Sequence, residues 1–346
     1  MPIHTIRSNH SGDYKFSFQE NEEIEDLVYS MDSTEYNPRL SHFLACMARS
    51  AYNEDIVLSN YEILGFDNDS CKTEHYENND KIAGFTIGEK ILDNGRVFVL
   101  ITIRGSFTQP EWTETDFNLK LRESELSSSV GIHSGFEDSE IALYESLKDH
   151  LGGTIQKQNI TYVITGHSLG GAVGNLLSVR LYNDGVSNKD VYNYNFGCPL
   201  IGAGKDSASV WNNQGAHDNI INIGDLSDKI TYYPSSALYS KEELYGNMRK
   251  GWTYFKRFGI SYWFIKGVHS LTLSAHDMSS YLEYLDKEYD ENHFITSEYI
   301  VKTVSVHCPV DVIIYDNQGK PLAGTDNNEP NYYGYEIGEK AIIFVK

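Results

Sequence analysis

The six residues 166–171, which read GHSLGG, contain the serine of this chain that is best placed to act as a nucleophile. A strand-like apolar run at 160–165 precedes them, and a helix-like run at 172–177 follows. A sharp strand-to-helix turn exposes the hydroxyl of a serine at its apex, and glycines two residues before and after it leave room for the tight backbone. The helix N-terminus adds a positive end that favours developing negative charge. The alternative is a glycine-rich turn without chemistry.

A serine hydroxyl becomes a good nucleophile only when a base removes its proton and a carboxylate orients that base. In folds with such a turn, the chain order is serine, acid, histidine. Two carboxylates, Asp225 and Asp228, follow the strand-like run 219–223, and both stay candidates. The downstream histidines are His217, His269, His276, His293 and His307. Among these, His276 is favoured as the base, because it lies in a loop just before a helix-like segment.

Strand-like and helix-like segments alternate through the middle of the chain. We expect strands at 82–87, 96–103, 160–166, 191–196 and 219–223, and helices at 135–150, 172–182 and 278–285, with another beginning at Asn37-Pro38. This alternation predicts an α/β fold with a mainly parallel sheet and helices on both faces. Catalytic groups then lie beyond the carboxyl ends of the strands, where the candidates above fall. The first thirty residues show no clear period, and 67–80 is interpreted as a loop.

The composition excludes several classes of partner and cofactor. A net charge of −21, from 49 acidic and 28 basic residues, repels nucleic acid and anionic membrane surfaces. The four cysteines, Cys46, Cys71, Cys198 and Cys308, show neither C-x-x-C pairs nor histidines at zinc-ligand spacing, so we expect no metal and no cofactor. Whether any of them forms a disulfide stays open.

The two ends of the chain differ from its middle. The N-terminus lacks a signal-like segment, and no stretch approaches the length of a membrane span, so we expect a soluble protein, either cytoplasmic or secreted after removal of a signal. Strand-like runs after residue 296 predict a small all-β appendage, which divides the chain into domains 1–295 and 296–346. The appendage ends on an apolar strand, which leaves open whether the natural chain continues. The sequence does not indicate the oligomeric state.

Several motifs in the same order make residues 38–288 resemble the class 3, or fungal-type, lipases. They are the serine turn at 166–171, the strand end Arg104-Gly105-Ser106, the H-x-G-F segment within 132–136, and FG-x-P at 196–199. The resemblance implies an α/β-hydrolase fold and a serine carboxylic ester hydrolase.

The same resemblance implies roles for individual residues. The family's D-x-V-P-x-x-P motif matches 228–234, with Thr231 in place of proline, which favours Asp228 over Asp225. The H-x-M-x-x-Y motif matches 276–281 and supports His276. Ser168 is then the nucleophile, and the backbone N–H groups of Ser106 and Leu169 form the oxyanion hole. His133 and His167 are interpreted as structural.

The substrate is less well indicated than the reaction. An aromatic and basic stretch at 245–264 and the segment 107–117 are candidate lids or pocket walls, or the former is an insertion that packs on the core. Candidate substrate or lid residues are Trp112, Trp252, Phe255 and Trp263. We expect triacylglycerols or other acyl esters, with transient contact at a lipid interface left open. An esterase for short-chain or aromatic, feruloyl-type esters is the alternative, and a catalytically inert surface- or carbohydrate-binding protein is the non-hydrolase alternative.

Overall fold

The computed structural model describes residues 3–9, 11, 14–19, 24–76, 82–106, 121–153, 155, 159–204, 216–233, 254–264, 274–296, 313–315, 321–324, 332–337 and 340–345. The α-helices in these ranges are α1 (Ile24–Tyr29), α2 (Pro38–Ser50), α3 (Glu54–Ile63), α4 (Ser134–His150), α5 (Leu169–Asn183) and α6 (Met278–Leu285). The strands of the first half are β1 (Ile3–Arg7), β2 (Lys15–Gln19), β3 (Lys72–Glu74), β4 (Phe85–Ile91), β5 (Val97–Ile103), β6 (Leu121–Ser124), β7 (Ser127–His133) and β8 (Ile160–His167). Those of the second half are β9 (Val191–Phe196), β10 (Gly202–Gly204), β11 (Ile220–Asp225), β12 (Tyr254–Lys256), β13 (Ile260–Phe264), β14 (Ile295–Thr296), β15 (Ile313–Tyr315), β16 (Pro321–Gly324), β17 (Tyr332–Ile337) and β18 (Lys340–Val345).

Eight strands form the central sheet in the order β14-β13-β11-β9-β8-β5-β4-β3. The five strands from β13 to β5 run parallel to one another, and the outer strands β14, β4 and β3 are antiparallel to their neighbours. This confirms the predicted mainly parallel sheet of an α/β-hydrolase fold. The carboxyl ends of the parallel strands lie at one edge of the sheet, where the candidate site is found.

Both faces of the central sheet are covered, because its inner strands are apolar on both sides. On β5, Phe98 and Leu100 belong to one hydrophobic core, and Val99 and Ile101 belong to the other. The first core contains the buried residues of α2 and α6, and the second contains those of α4 and α5. Period-2 alternation sends neighbouring side chains of a strand to opposite faces, so a strand buried on both faces has a continuous apolar sequence.

Smaller sheets accompany the central one. Strands β12, β10, β7 and β6 form an antiparallel sheet, and β1 pairs with β2. Near the C-terminus β15 pairs with β16 and β17 with β18, all antiparallel. The division into domains 1–295 and 296–346 stays a prediction. Within the described ranges, no helix combines the length and the apolar character that a membrane crossing requires.

Two segments differ from the sequence-based expectation. The first thirty residues form β1, β2 and α1, and in the hairpin Ile6, Phe16 and Phe18 are buried. Their alternation spans only five residues in each strand, too few to stand out among polar neighbours. The segment 67–80, interpreted as a loop, contains the edge strand β3. Because backbone hydrogen bonds join an edge strand to the sheet, its polar side chains do not prevent the pairing.

Other expectations are confirmed with small shifts of boundary. Asn37 caps α2, where its side-chain oxygen accepts a hydrogen bond of 3.0 Å from the backbone N–H of Leu40, and Pro38 is the first helical residue. The strand predicted at 82–87 is β4, which begins at Phe85. Cys46, Cys71 and Cys198 are free thiols, and Cys308 lies outside the described residues.

A buried ion pair joins the two helices of the second core. The guanidinium of Arg180 on α5 donates to both carboxylate oxygens of Glu140 on α4, at 2.6 and 2.8 Å. Glu140 is completely buried. A bidentate pair of this kind fixes the packing of α4 on α5, because its two parallel hydrogen bonds require one mutual orientation of the guanidinium and the carboxylate.

We expect Glu140→Gln to lower the free energy of unfolding by about 3 kcal/mol, because it leaves a half-buried guanidinium without its counter-charge. The matched control is Glu145→Gln on the same helix, which removes an exposed pair with Lys148 and should cost less than about 0.5 kcal/mol. Chemical denaturation of both variants measures the difference. Equal losses would contradict a special role for the buried pair.

Candidate active site

The turn between β8 and α5 holds Ser168 in a strained conformation, with φ 57° and ψ −124°. Close backbone packing makes this turn possible. A β-carbon at Gly166 would lie 2.4 Å from the carbonyl carbon of Gly170, and one at Gly170 would lie 2.3 Å from the carbonyl oxygen of Ile103 at the end of β5. Real β-carbons do not approach other atoms this closely. The two glycines flanking the serine are therefore required by the local backbone contacts.

Ser168, His276 and Asp228 are joined by two hydrogen bonds. The Ser168 Oγ lies 2.8 Å from His276 Nε2, and His276 Nδ1 lies 2.7 Å from Asp228 Oδ2. A carboxylate only accepts, so Nδ1 carries the proton and Nε2 is free to accept from the serine hydroxyl. All three side chains are buried, and they come from three separate loops at the carboxyl edge of the sheet. The arrangement can therefore move a proton from Ser168 to His276.

Asp228 is held by further donors. The hydroxyl of Tyr281 donates to Oδ2 at 2.6 Å, and the backbone N–H of Ile230 donates to Oδ1 at 2.8 Å. Burial and the neighbouring carboxylate of Asp228 raise the pKa of Tyr281 well above its usual value, so the phenol stays a donor. Asp225 lies nearby and is also buried, and its Oδ1 accepts from the backbone N–H of Ser227 at 2.8 Å. The carboxylate oxygen at 2.7 Å from His276 belongs to Asp228.

The histidine next to the serine, His167, contacts the backbone of His276 and the hydroxyl of Tyr52. Its Nε2 is 2.8 Å from the backbone carbonyl oxygen of His276, and its Nδ1 is 2.7 Å from the hydroxyl of Tyr52. Burial lowers the pKa of His167 well below its usual value, and the nearby His276 lowers it further. His167 is therefore neutral. His133 is buried as well, and its ring stacks on Phe136 with 4.1 Å between centroids.

The end of β5 packs against the serine turn. A β-carbon at Gly105 would lie 2.6 Å from the carbonyl oxygen of His167 and 3.1 Å from Ser168 Cβ, so only glycine fits there. Ser106 follows directly and is buried. Leu169 is the first residue of α5, where backbone N–H groups have no partner within the helix. Both residues of the expected oxyanion hole thus belong to segments that meet at Ser168.

The candidate substrate or lid residues are only partly described. Trp263 lies on β13 and is 7% exposed. A β-carbon at Gly224 of the neighbouring β11 would lie 2.4 Å from the Trp263 ring, and the Arg257 guanidinium lies 5.2 Å from that ring's centroid. This places Trp263 in a packed wall and not on a projecting segment. The strand β12 includes Phe255, whose side chain lies outside the description, as do Trp112, Trp252, His269 and His307.

Two tyrosines at the site carry no role in the sequence analysis. Tyr281 closes the H-x-M-x-x-Y motif, so its spacing from His276 is a signal that could have pointed to it. Tyr52 has no comparable signal, because 115 residues separate it from His167. Only the folded chain brings its hydroxyl to the site.

Comparisons with known proteins find similarity to lipases over part of the chain. Residues 100–237 match the family model described as Lipase (class 3). The secreted mono- and diacylglycerol lipase 1 of Fusarium solani is 32% identical over 129 residues. This match covers 35% of the present chain and 38% of the Fusarium protein, so the chain spans well under half the length of that relative.

Solved structures of similar proteins include the Rhizomucor miehei triacylglyceride lipase, at 19% identity and a TM-score of 0.45, with 65% of this chain and 78% of that chain covered. Another is a triacylglycerol lipase described as having a serine protease triad at its catalytic centre, at 18% identity and a TM-score of 0.43, with 76% and 83% covered. Residues 100–237 are thus similar to the class 3 lipases, and the order and direction of the sheet strands are those of an α/β-hydrolase fold.

Proposed function

We propose that the protein is a serine carboxylic ester hydrolase of the lipase type, in which Ser168 is the nucleophile, His276 the general base and Asp228 the orienting acid. The observation that carries this proposal is the continuous hydrogen-bonded chain from Ser168 Oγ through the imidazole of His276 to Asp228. A buried serine with a base at 2.8 Å and a carboxylate behind that base is the arrangement that activates a hydroxyl for acyl transfer.

In the first half of the reaction, Ser168 Oγ bonds to the ester carbonyl carbon while His276 Nε2 takes the hydroxyl proton. The resulting imidazolium is stabilised by Asp228, which itself keeps the donors Tyr281 and Ile230. The carbonyl π electrons move to oxygen and form a tetrahedral oxyanion. When this intermediate collapses, the bond to the alcohol oxygen breaks, the alcohol leaves with the proton from His276, and an acyl-enzyme remains.

The oxyanion is bound by the backbone N–H groups of Ser106 and Leu169 in this proposal. Support comes from the packing of Gly105 on Ser168 and from the position of Leu169 at the N-terminus of α5, whose dipole favours negative charge. Backbone donors are already oriented before the substrate arrives, so they stabilise the developing charge without reorganisation.

The second half of the reaction repeats these steps with water. His276 removes a proton from a water molecule, the water oxygen attacks the acyl carbon, and collapse releases the carboxylic acid while Ser168 regains its proton. Neither half requires a cofactor in this proposal, because His276 carries each proton between Ser168, the leaving alcohol and the attacking water.

The substrate we propose is an acylglycerol or another acyl ester with a long aliphatic chain. The relative from Fusarium solani is named as a lipase for mono- and diacylglycerols, which supports this class of substrate over short or aromatic esters. Its name also describes it as secreted, which favours secretion among the two locations that the sequence left open. Transient contact with a lipid interface follows from such a substrate.

Replacing each of the two candidate acids separately by asparagine tests the assignment of Asp228. We expect Asp228→Asn to lower kcat for an activated ester by about 10⁴-fold, because the amide no longer selects the imidazole tautomer that accepts from Ser168. Asp225→Asn is the matched control, since Asp225 is equally buried and three residues away. Steady-state kinetics of both variants and of Ser168→Ala decide the matter. A larger loss in Asp225→Asn would make Asp225 the acid.

A series of p-nitrophenyl esters from acetyl to palmitoyl tests the substrate class. If the acyl pocket binds an aliphatic chain, kcat/KM should rise by about 4-fold for each methylene until the pocket is full, because each buried methylene contributes about 0.8 kcal/mol. A maximum at acetyl or butyryl would instead indicate the esterase alternative. Absence of activity on every ester, with Ser168→Ala indistinguishable from the unmodified chain, would favour the inert binding protein.

A further inference from the structure

The hydroxyl of Tyr52 touches two of the segments that form the site. Tyr52 follows the end of α2, far from Ser168 in the sequence. Its hydroxyl oxygen is 2.7 Å from His167 Nδ1, and a β-carbon at Gly105 would lie only 2.2 Å from that oxygen. The phenol thus lies where the end of β5 meets the serine turn.

Through His167 the contact reaches a third segment. The carbonyl oxygen of His276 only accepts hydrogen bonds, so the proton on the His167 ring is on Nε2, which lies 2.8 Å from that oxygen. The neutral ring then has an acceptor at Nδ1, and the Tyr52 hydroxyl donates to it. Both bonds need the same His167 tautomer, with the proton on Nε2 and a lone pair on Nδ1. The hydrogen bonds therefore all point one way, from the Tyr52 hydroxyl through the His167 ring to the backbone carbonyl of His276.

We propose that Tyr52 is a positioning residue for the catalytic base: it holds His167 in the Nε2-protonated tautomer, and His167 in turn holds the backbone carbonyl of His276. This inference rests on the function proposed above. The His276 ring is bonded to Asp228 through its side chain, and helix α6 begins two residues after His276. A second anchor on the backbone prevents the ring from shifting when Nε2 becomes charged.

The hydrogen bond from Tyr52 also affects the charge of His167, because His167 is buried close to His276. His167 is buried, and the rings of His167 and His276 lie with their centroids 4.6 Å apart. A positive charge on His167 would therefore face the imidazolium that forms on His276 during the reaction. The Tyr52 hydroxyl donates to Nδ1 of His167 and so opposes protonation at that nitrogen. The neutral His167 ring then does not repel the imidazolium of His276.

The test is Tyr52→Phe in the full chain, which removes one oxygen atom. We expect kcat for an activated acyl ester to fall by about 10-fold with KM unchanged, since misplacement of a reacting group by a fraction of an ångström costs less than the 10²-fold of a full ångström. The matched control is Tyr162→Phe at the opposite end of β8, whose hydroxyl donates to Ile155 at 2.7 Å. It should keep its kcat even where its unfolding midpoint falls as far as that of Tyr52→Phe.

A double variant separates positioning from general loosening of the fold. His167→Gln keeps a donor for the His276 carbonyl and lacks the Nδ1 acceptor, so Tyr52→Phe should have no further effect on kcat in that background. Additive losses in the double variant, or equal losses of kcat in Tyr52→Phe and Tyr162→Phe, would overturn the proposal.

A spectroscopic readout distinguishes failure of this proposal from failure of the proposed function. In ¹⁵N spectra of the histidine rings, with His167 assigned from His167→Gln, the unmodified chain should show a protonated Nε2 and a hydrogen-bonded Nδ1. In Tyr52→Phe the Nδ1 resonance should move toward that of an unbonded nitrogen. If no ester is hydrolysed, the proposed function fails, but the spectra still show whether Tyr52 donates to His167. A Nδ1 resonance that does not move in Tyr52→Phe would overturn the proposal for Tyr52.

Discussion

The backbone of the turn between β8 and α5 is packed so closely that side chains do not fit around it. Glycines at 166 and 170 let the strand and the helix meet directly, and the helix rests against the end of β5. Gly105 lets that same strand end approach the serine from the other side. The strain at Ser168 persists because these contacts determine its backbone conformation. Every other feature of the site is arranged around this one point.

The buried histidines and carboxylate depend on a strict order of donors and acceptors. Asp228 accepts from His276, Tyr281 and Ile230, so its negative charge is compensated without bulk water. Beside the His276 ring, Tyr52 and His167 form a second, neutral series of hydrogen bonds that ends on the backbone carbonyl of His276. Burial strengthens the hydrogen bonds of both series. It also makes the loss of one partner costly, because solvent cannot replace that partner for a polar group in the interior.

The two hydrophobic cores explain how distant segments keep this order. Helix α2 packs on one face of the sheet with α6, which begins just after His276, while α4 and α5 cover the other face and share the Glu140–Arg180 pair. The side chains that meet at Ser168 are thus supported from both faces.

The sequence by itself determined the parallel sheet, the turn at Ser168 and the loop that carries His276, because strand and helix patterns and glycine spacing act over a few neighbouring residues. It left Asp225 and Asp228 as alternatives, since three residues of loop do not reveal which carboxylate faces the imidazole. It gave no sign of Tyr52, and it missed β3 because edge strands pair through their backbones. These features were decided only by the tertiary structure, where contacts across 48, 108 and 115 residues are made by packing on both faces of the sheet.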